Sequence, residues 1–283
     1  MSNQEQIEYW NGQAGERWAC EDDRMARLLR PVAVSLLDHI GVEPGASALD
    51  IGCGGGSQTV LLAERLGGTG RVLGVDISGP LLDVARAKTQ TQFPEYADMS
   101  FLQADAAEHP FDPASVDLLF SRFGVMFFDD PAQAFSHLRK ALKPDGRLGF
   151  SCWQAARDNQ WVRDPLQAAL KHVSLPQPAD PHAPGPFAFA DEARVTGMLK
   201  DSGFTDIRFA AREVELNFGS GGSLLETCAE LVGIGPLARL LAEADEATRQ
   251  RVIESVAESM SAHFVDGVLT LSGAVWFVTA SAD

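Results

Sequence analysis

The sequence predicts an α/β protein built on a mostly parallel sheet with helices on both faces. Three observations carry that reading. Five short apolar runs (46–51, 71–77, 99–104, 116–121 and 147–152) are separated in most intervals by stretches of helical periodicity. A glycine-rich turn closes the first run, where a parallel strand hands over to a helix. The length of 283 residues, 45% hydrophobic and 22% charged, allows at most two ordinary domains and a full core without disulfide staples.

Taken in order, the first forty residues are helical in pattern and carry Tyr9, Trp10 and Trp18. Pro31 is expected at the first turn of a second helix that turns Val34, Leu37 and Ile40 inward and stops at Gly41. Helices are expected over 57–66 and 80–88, between the first three strands. Asp130 reads as an N-cap with Pro131 at the first helical position. Phe135, Leu138 and Leu142 form the inward face, and Arg139, Lys140 and Lys143 favour the negative end. Pro144-Asp145-Gly146 is expected as the turn that stops this helix and launches the next strand. Beyond Cys152 the alternation lapses, and Pro176, Pro178, Pro181, Pro184 and Pro186 mark an irregular loop. A short helix over 191–200 and a strand over 207–216 follow. The stretch 223–262 is helical, with Val252, Val256 and Met260 recurring every four residues, and a strand over 268–279 closes the chain.

Composition excludes several functions. Lys and Arg number 23 against 39 Asp and Glu, a net charge of −16, with a pI near 4.7. Such a field repels polyanions, so no nucleic-acid partner is expected. Cys20, Cys53, Cys152 and Cys228 form no C-x-x-C pair and suit reduced thiols in the cytoplasm. The six histidines show no ligand spacing, so no metal is expected. The first ten residues carry Glu5 and Glu8 and no apolar run, which argues against a secretory leader. The uncharged stretch 267–282 is too short to span a bilayer and reads as a buried strand, so no membrane insertion is expected.

Chemistry concentrates in Leu49-Asp50-Ile51-Gly52-Cys53-Gly54-Gly55-Gly56-Ser57. Glycines there allow a sharp turn and close approach of a ligand to the backbone. Asp76, twenty residues past Gly56 and at the end of the second strand, can accept both hydroxyls of a ribose. The glycines run G-x-G-x-G, and Asp50 stands where dinucleotide-binding strands carry an apolar residue. A carboxylate there would repel a pyrophosphate and attract an ammonium group. Asp105 ends the third strand and can accept the amine of an adenine. An ammonium, a ribose and an adenine without phosphate together describe S-adenosylmethionine.

With Val75-Asp76-Ile77-Ser78, Ala104-Asp105-Ala106 before Pro110-Phe111, Ser121-Arg122-Phe123-Gly124-Val125-Met126-Phe127-Phe128, and Leu142-Lys143-Pro144-Asp145-Gly146-Arg147-Leu148, the chain resembles class I S-adenosylmethionine-dependent methyltransferases. It is nearest the small-molecule group that includes ubiquinone and menaquinone methyltransferases. The resemblance implies a Rossmann-like, seven-stranded, mostly parallel sheet whose last strand is antiparallel. It also implies that Gly52 and Gly54 contact the methionine moiety of S-adenosylmethionine, and Asp50 and Cys53 of the same turn are further cofactor-binding candidates. Asp76 then holds the ribose, Ile77 and Ala106 flank the adenine, Asp105 reads its amine, and Ser121 lies under the methionine part. The expected layout is an N-terminal helical lid over 1–40, a cofactor-binding core over 41–155, an inserted acceptor-side helical cap over 156–204, and C-terminal strands with a helical insertion over 205–283.

The expected acceptor is a small, apolar or aromatic metabolite between the N-terminal helices and the segment around 153–190. Trp10, Trp18, Arg122, Phe123, Met126 and Trp153 are the acceptor-side candidates. Simple core packing is the rival reading for the tryptophans. Arg122 either holds an acidic group of the acceptor or pairs with a protein carboxylate. Cys53 and Cys152 have no histidine beside them and read as packing rather than nucleophiles. No general base stands out, and a monomer or homodimer is expected. The rivals to a methyltransferase are a nicotinamide-dependent dehydrogenase and a non-catalytic protein that binds S-adenosylmethionine.

Overall fold

The computed structural model describes residues 3–92, 96, 98–175, 180–219 and 221–282. They form two compact units: Met1–Cys152, His182–Ala211 and Trp276–Asp283 in the first, Trp153–Pro181 and Arg212–Val275 in the second.

The sheet is built from β1 (Ser47–Ile51), β2 (Arg71–Asp76), β3 (Asp98–Gln103), β4 (Val116–Arg122), β5 (Leu142–Trp153), β6 (Thr205–Phe218), a two-residue β7 (Phe264–Val265) and β8 (Val268–Ser281). Its order is β3-β2-β1-β4-β5-β8-β6, with β7 paired to β8 alone, so among the described residues eight strands stand where seven were expected. The first five strands are parallel, with Asp50 opposite Gly74 on one side and Phe120 on the other. Strand β8 runs antiparallel to β5: Ala282 N donates to Gly146 O, and Gln154 N donates to Ala274 O. Both strands β1 and β4 are buried almost throughout, as parallel strands covered on two faces must be.

In the first unit α1 (Asn3–Asn11), α2 (Gln13–Cys20) and α3 (Asp22–Ile40) precede the sheet. Pro31 lies inside α3 and does not open a helix. It removes one backbone hydrogen bond, yet Leu28, Leu29, Val32, Ala33, Leu36 and Leu37 form one buried stripe through it. Burial of that stripe outweighs the local cost. Gly41 ends α3 in the left-handed region as expected. Between strands, α4 (Ser57–Leu66) and α5 (Gly79–Gln92) occupy the expected places. Asp130 caps α6 (Pro131–Arg139) by accepting from Gln133 N.

Pro144-Asp145-Gly146 does not precede β5 but lies within it. Val116 pairs with Leu142 and Leu118 with Arg147, so these residues form a bulge, with Asp145 at φ +64°. Lys143 there pairs with Asp117 at 2.8 Å and does not serve the end of α6. Gly185 N donates to Met126 O, while Pro176 and Pro178 of the expected loop lie outside the described residues. The 191–200 helix is α8 (Glu192–Asp201), capped by Asp191.

The second unit contains α7 (Gln160–Ala169), unmarked in the sequence because Pro165 sits inside it. The stretch 223–262 is helical as expected, in three pieces: α9 (Leu224–Val232), α10 (Gly235–Leu240) and α11 (Glu246–Met260). Val252, Val256 and Met260 are buried on α11 as their spacing predicts. Asn159 is fully buried and fully used. It donates to Gln154 O and Ala155 O and accepts from Trp161 Nε1 and Ala274 N. No helix among the described residues is long and apolar enough to cross a membrane.

Candidate active site

Asp50, Gly52, Cys53, Gly54, Asp76, Ile77, Asp105, Ala106 and Ser121 come from the ends of β1, β2, β3 and β4 or the turns that follow them. Those four strands are neighbours in the sheet, so one edge collects all nine. This is the edge at which open parallel sheets bind ligands.

Asp76 organises the centre. One carboxylate oxygen accepts from Gly54 N and the other from Ser78 N, each at 2.8 Å. Burial raises its pKa, opposed by the backbone N–H groups of Ser78, Gly54 and Ile77. Both oxygens keep a further lone pair for a ligand hydroxyl. Gly54 stands at φ +54°, and a Cβ there would meet nothing, so this glycine borders open space. Gly52 is required for another reason: its Cβ would lie 2.8 Å from Gly124 Cα, so two backbones touch.

Asp50 is completely buried. Thr59 Oγ1 donates to its Oδ2 at 2.6 Å, while Oδ1 has no hydrogen-bond partner. Burial pushes its carboxyl up to about 7, against the pull of Thr59 and of the Arg122 charge. Asp105 Oδ1 accepts from Ala107 N at 2.9 Å, and Ala106 beside it is buried. The Ser121 hydroxyl donates to Ile51 O and accepts from Gly124 N and Val125 N, so it shapes the turn after β4. Phe123 in that turn has φ +64°, a strained backbone for an aromatic residue. Burial drives the thiols of Cys53 and Cys152 well above their ordinary pKa, which leaves no thiolate nucleophile at neutral pH.

The N-terminal helices press on this edge through residues that the sequence did not single out. Ser78 Oγ donates to Trp10 O at 2.8 Å. Asn11 donates to Ile77 O at 2.8 Å and accepts from Gly79 N and Gln103 Nε2. Asp22, first residue of α3, lies so close to the glycine turn that a Cβ on Gly55 would overlap its carboxylate. Lys88 of α5 holds Asp22 and also bonds Asp23 at 2.7 Å. The Asn11-Gly12 pair is a turn signal that could have marked the first of these contacts. Nothing in the sequence pairs Asp22 with Gly55.

Among the acceptor-side candidates, Trp10 packs edge-to-face on Trp18 (centroids 5.8 Å apart) and on Phe127 of the post-β4 turn (5.7 Å). Phe123 and Met126 are buried, and Arg122 is half-buried. Trp153 belongs to the second unit, its ring 5.2 Å from that of Trp161. Among the described residues no three His, Cys, Asp or Glu side chains cluster as metal ligands.

Residues 49–150 match the family described as a methyltransferase domain. Over 179 residues the chain is 30% identical to the 2-phytyl-1,4-naphthoquinone methyltransferase of Thermosynechococcus vestitus, covering 61% of this chain and 78% of that protein. It is 27% identical over 268 residues to nocamycin O-methyltransferase of Saccharothrix syringae, covering 89% of this chain and 91% of the relative. Among solved structures, Haemonchus contortus phosphoethanolamine N-methyltransferase 2, bound to S-adenosylhomocysteine, shares the fold. There the TM-score is 0.58 and the identity 19%, over 96% of this chain and 58% of that one. The chain belongs to the class I S-adenosylmethionine-dependent methyltransferases. It is an enzyme, and its cofactor is S-adenosylmethionine. The site fits that cofactor: the Gly54 cradle is open, Asp76 has acceptor capacity to spare, and Asp50 holds an oxygen without a partner.

Proposed function

We propose that this methyltransferase acts on a small, largely apolar or aromatic metabolite and that the residues gathered at the strand ends hold its cofactor. The observation that carries the proposal is the set of three carboxylates on neighbouring strand ends around an open glycine turn, with an aromatic group beside it. In this reading Asp76 takes the ribose hydroxyls and Asp105 the adenine amine, between Ile77 and Ala106. Gly52, Cys53 and Gly54 line the methionine moiety, Ser121 fixes the turn beneath it, and Asp50 faces its ammonium. Relatives named for quinone and nocamycin methylation support a small acceptor.

When bound, the cofactor supplies a methyl group on a sulfonium, already activated for displacement. The work left to the chain is alignment and exclusion of water. Asn11, Ser78 and Asp22 hold the N-terminal helices over the edge, and Trp10, Trp18, Phe123 and Phe127 offer apolar faces to an acceptor. Residues 1–40 thus act as a lid. No side chain among them is a general base, which suits an acceptor that ionises readily. The free thiols and the acidic surface suit a reducing, cytoplasmic setting.

The test supplies labelled S-adenosylmethionine with a panel of naphthoquinols, phenols and carboxylic acids. Label is expected on at least one of them. Label that enters only protein or peptide would overturn the small-acceptor reading. Deleting residues 1–20 is expected to abolish transfer while the sheet stays folded, and full turnover by that variant would refute the lid.

A further inference from the structure

Arg122 ends β4 as a half-buried cation whose Nε is enclosed and has no hydrogen-bond partner. Among the described residues it forms no ion pair, although the chain carries 39 acidic side chains to choose from. Asp50 and Asp22 act on it only through space, and burial lowers it to about 10, so it stays charged at neutral pH. Ser151 of β5 lies opposite Arg122 in the register. Ser151 is completely buried, and its Oγ has no partner.

Residues paired across parallel strands project from the same face about 4.8 Å apart. The two side chains therefore leave the sheet from one face at neighbouring strand ends, and neither the Arg122 Nε–H nor the Ser151 hydroxyl has a partner. Unpaired buried polar groups cost stability, and an apolar pair of similar size would pack here without that cost. Their retention calls for a ligand group that accepts from both. A carboxylate does so, taking two N–H bonds from the guanidinium and a third from the hydroxyl. We propose that Arg122 and Ser151 form a carboxylate-binding subsite at the C-terminal ends of β4 and β5.

Two sources of that carboxylate exist: the amino-acid end of the cofactor and an acidic acceptor. The neighbourhood favours the first. Asp50 pairs with Phe120, so it projects from the face that also bears Arg122, one strand across and two residues back (about 6.6 Å along the strand). A lone anion at Arg122 would feel the Asp50 charge, whereas a zwitterion sets its ammonium toward Asp50 and its carboxylate toward Arg122. The acceptor alternative rests on the small-acceptor reading above; the cofactor alternative does not.

Calorimetry on the full chain separates the outcomes, using S-adenosylhomocysteine and 5′-methylthioadenosine, which lacks the amino-acid end. If the cofactor supplies the carboxylate, Arg122→Gln weakens S-adenosylhomocysteine about tenfold or more. Methylthioadenosine then stays within about twofold, and Arg122→Lys recovers part of the loss. If the acceptor supplies it, Arg122→Gln leaves S-adenosylhomocysteine unchanged. Benzoate then binds the S-adenosylhomocysteine complex of the wild type but not of the variant, and benzamide binds neither. Unchanged binding of all these probes by Arg122→Gln would overturn the subsite. Thermal unfolding adds a control: an unpaired charge removed should leave the melting temperature unchanged or raised, whereas a structural arginine would lower it. Should that variant not fold, Ser151→Ala reads the same ratio of S-adenosylhomocysteine to methylthioadenosine affinity, expected to shift about threefold, against no shift if the subsite is wrong.

Discussion

Asp76→Asn changes one atom type at the centre of the site. In the native chain each Asp76 oxygen accepts a backbone N–H at 2.8 Å, from Gly54 on one side and Ser78 on the other. Asparagine keeps one oxygen and turns an NH2 toward the other donor. One charge-assisted hydrogen bond is lost, worth about 1.5–3 kcal/mol. At about 2–4 °C per kcal/mol for a chain of this size, the melting temperature should fall by about 3–12 °C. The same amide removes one ribose acceptor, so affinity for S-adenosylhomocysteine should drop by about tenfold or more. Asp76→Ala deletes both acceptors and should lose more on each measure. Calorimetry for affinity and thermal unfolding for stability read the two effects separately. A folded Asp76→Asn protein that bound S-adenosylhomocysteine within about twofold of the wild type would place the ribose elsewhere and refute the assignment.

Asp50 predicts two opposed pH responses. Its folded-state pKa of about 7 lies above the unfolded value near 3.9, so the folded state prefers the proton. This contribution to ligand-free stability is present below about pH 4 and is lost as pH rises to about 7, by at most about 4 kcal/mol. Asp50→Asn should flatten that slope in denaturant titrations. S-adenosylhomocysteine affinity should instead rise roughly tenfold from pH 6 to pH 8, because the ionised carboxylate attracts an ammonium; a flat profile would detach Asp50 from the ligand. The glycines separate by position. Gly54→Ala should fold with about 1–2 kcal/mol of left-handed backbone strain yet bind S-adenosylhomocysteine poorly, because its Cβ enters open space where a ligand approaches. Gly52→Ala should lose more stability, the same backbone strain plus about 1–3 kcal/mol, because its Cβ meets Gly124 Cα at 2.8 Å. Equal melting temperatures for these two variants would contradict that contrast.

Local sequence signals were sufficient wherever one segment carried the whole cause. Strand and helix periods located β1 to β4, α4 and α5, and the Asp130-Pro131 pair located the start of α6. Asp50, Asp76 and Asp105 were legible because each follows or ends an apolar strand, and topology alone carries strand ends to one edge. The misreadings at Pro31 and Pro144 share a cause. Proline punctuates a chain locally, but its missing hydrogen bond is tolerated where a continuous buried stripe or a bulge absorbs it.

What the sequence by itself determined is therefore the α/β class, the glycine turn and the acids around it. What only the tertiary structure decided is contact between segments far apart in the chain: Asp22 against Gly55, Asn11 against Ile77, Gly52 against Gly124, and Arg122 beside Ser151 with neither satisfied. The physical reason is range. Periodicity and turn chemistry act over a few residues and leave their mark in composition. A hydrogen bond across tens of residues, or the lack of one, exists only once packing has brought the groups together and shut out the water that would have served them.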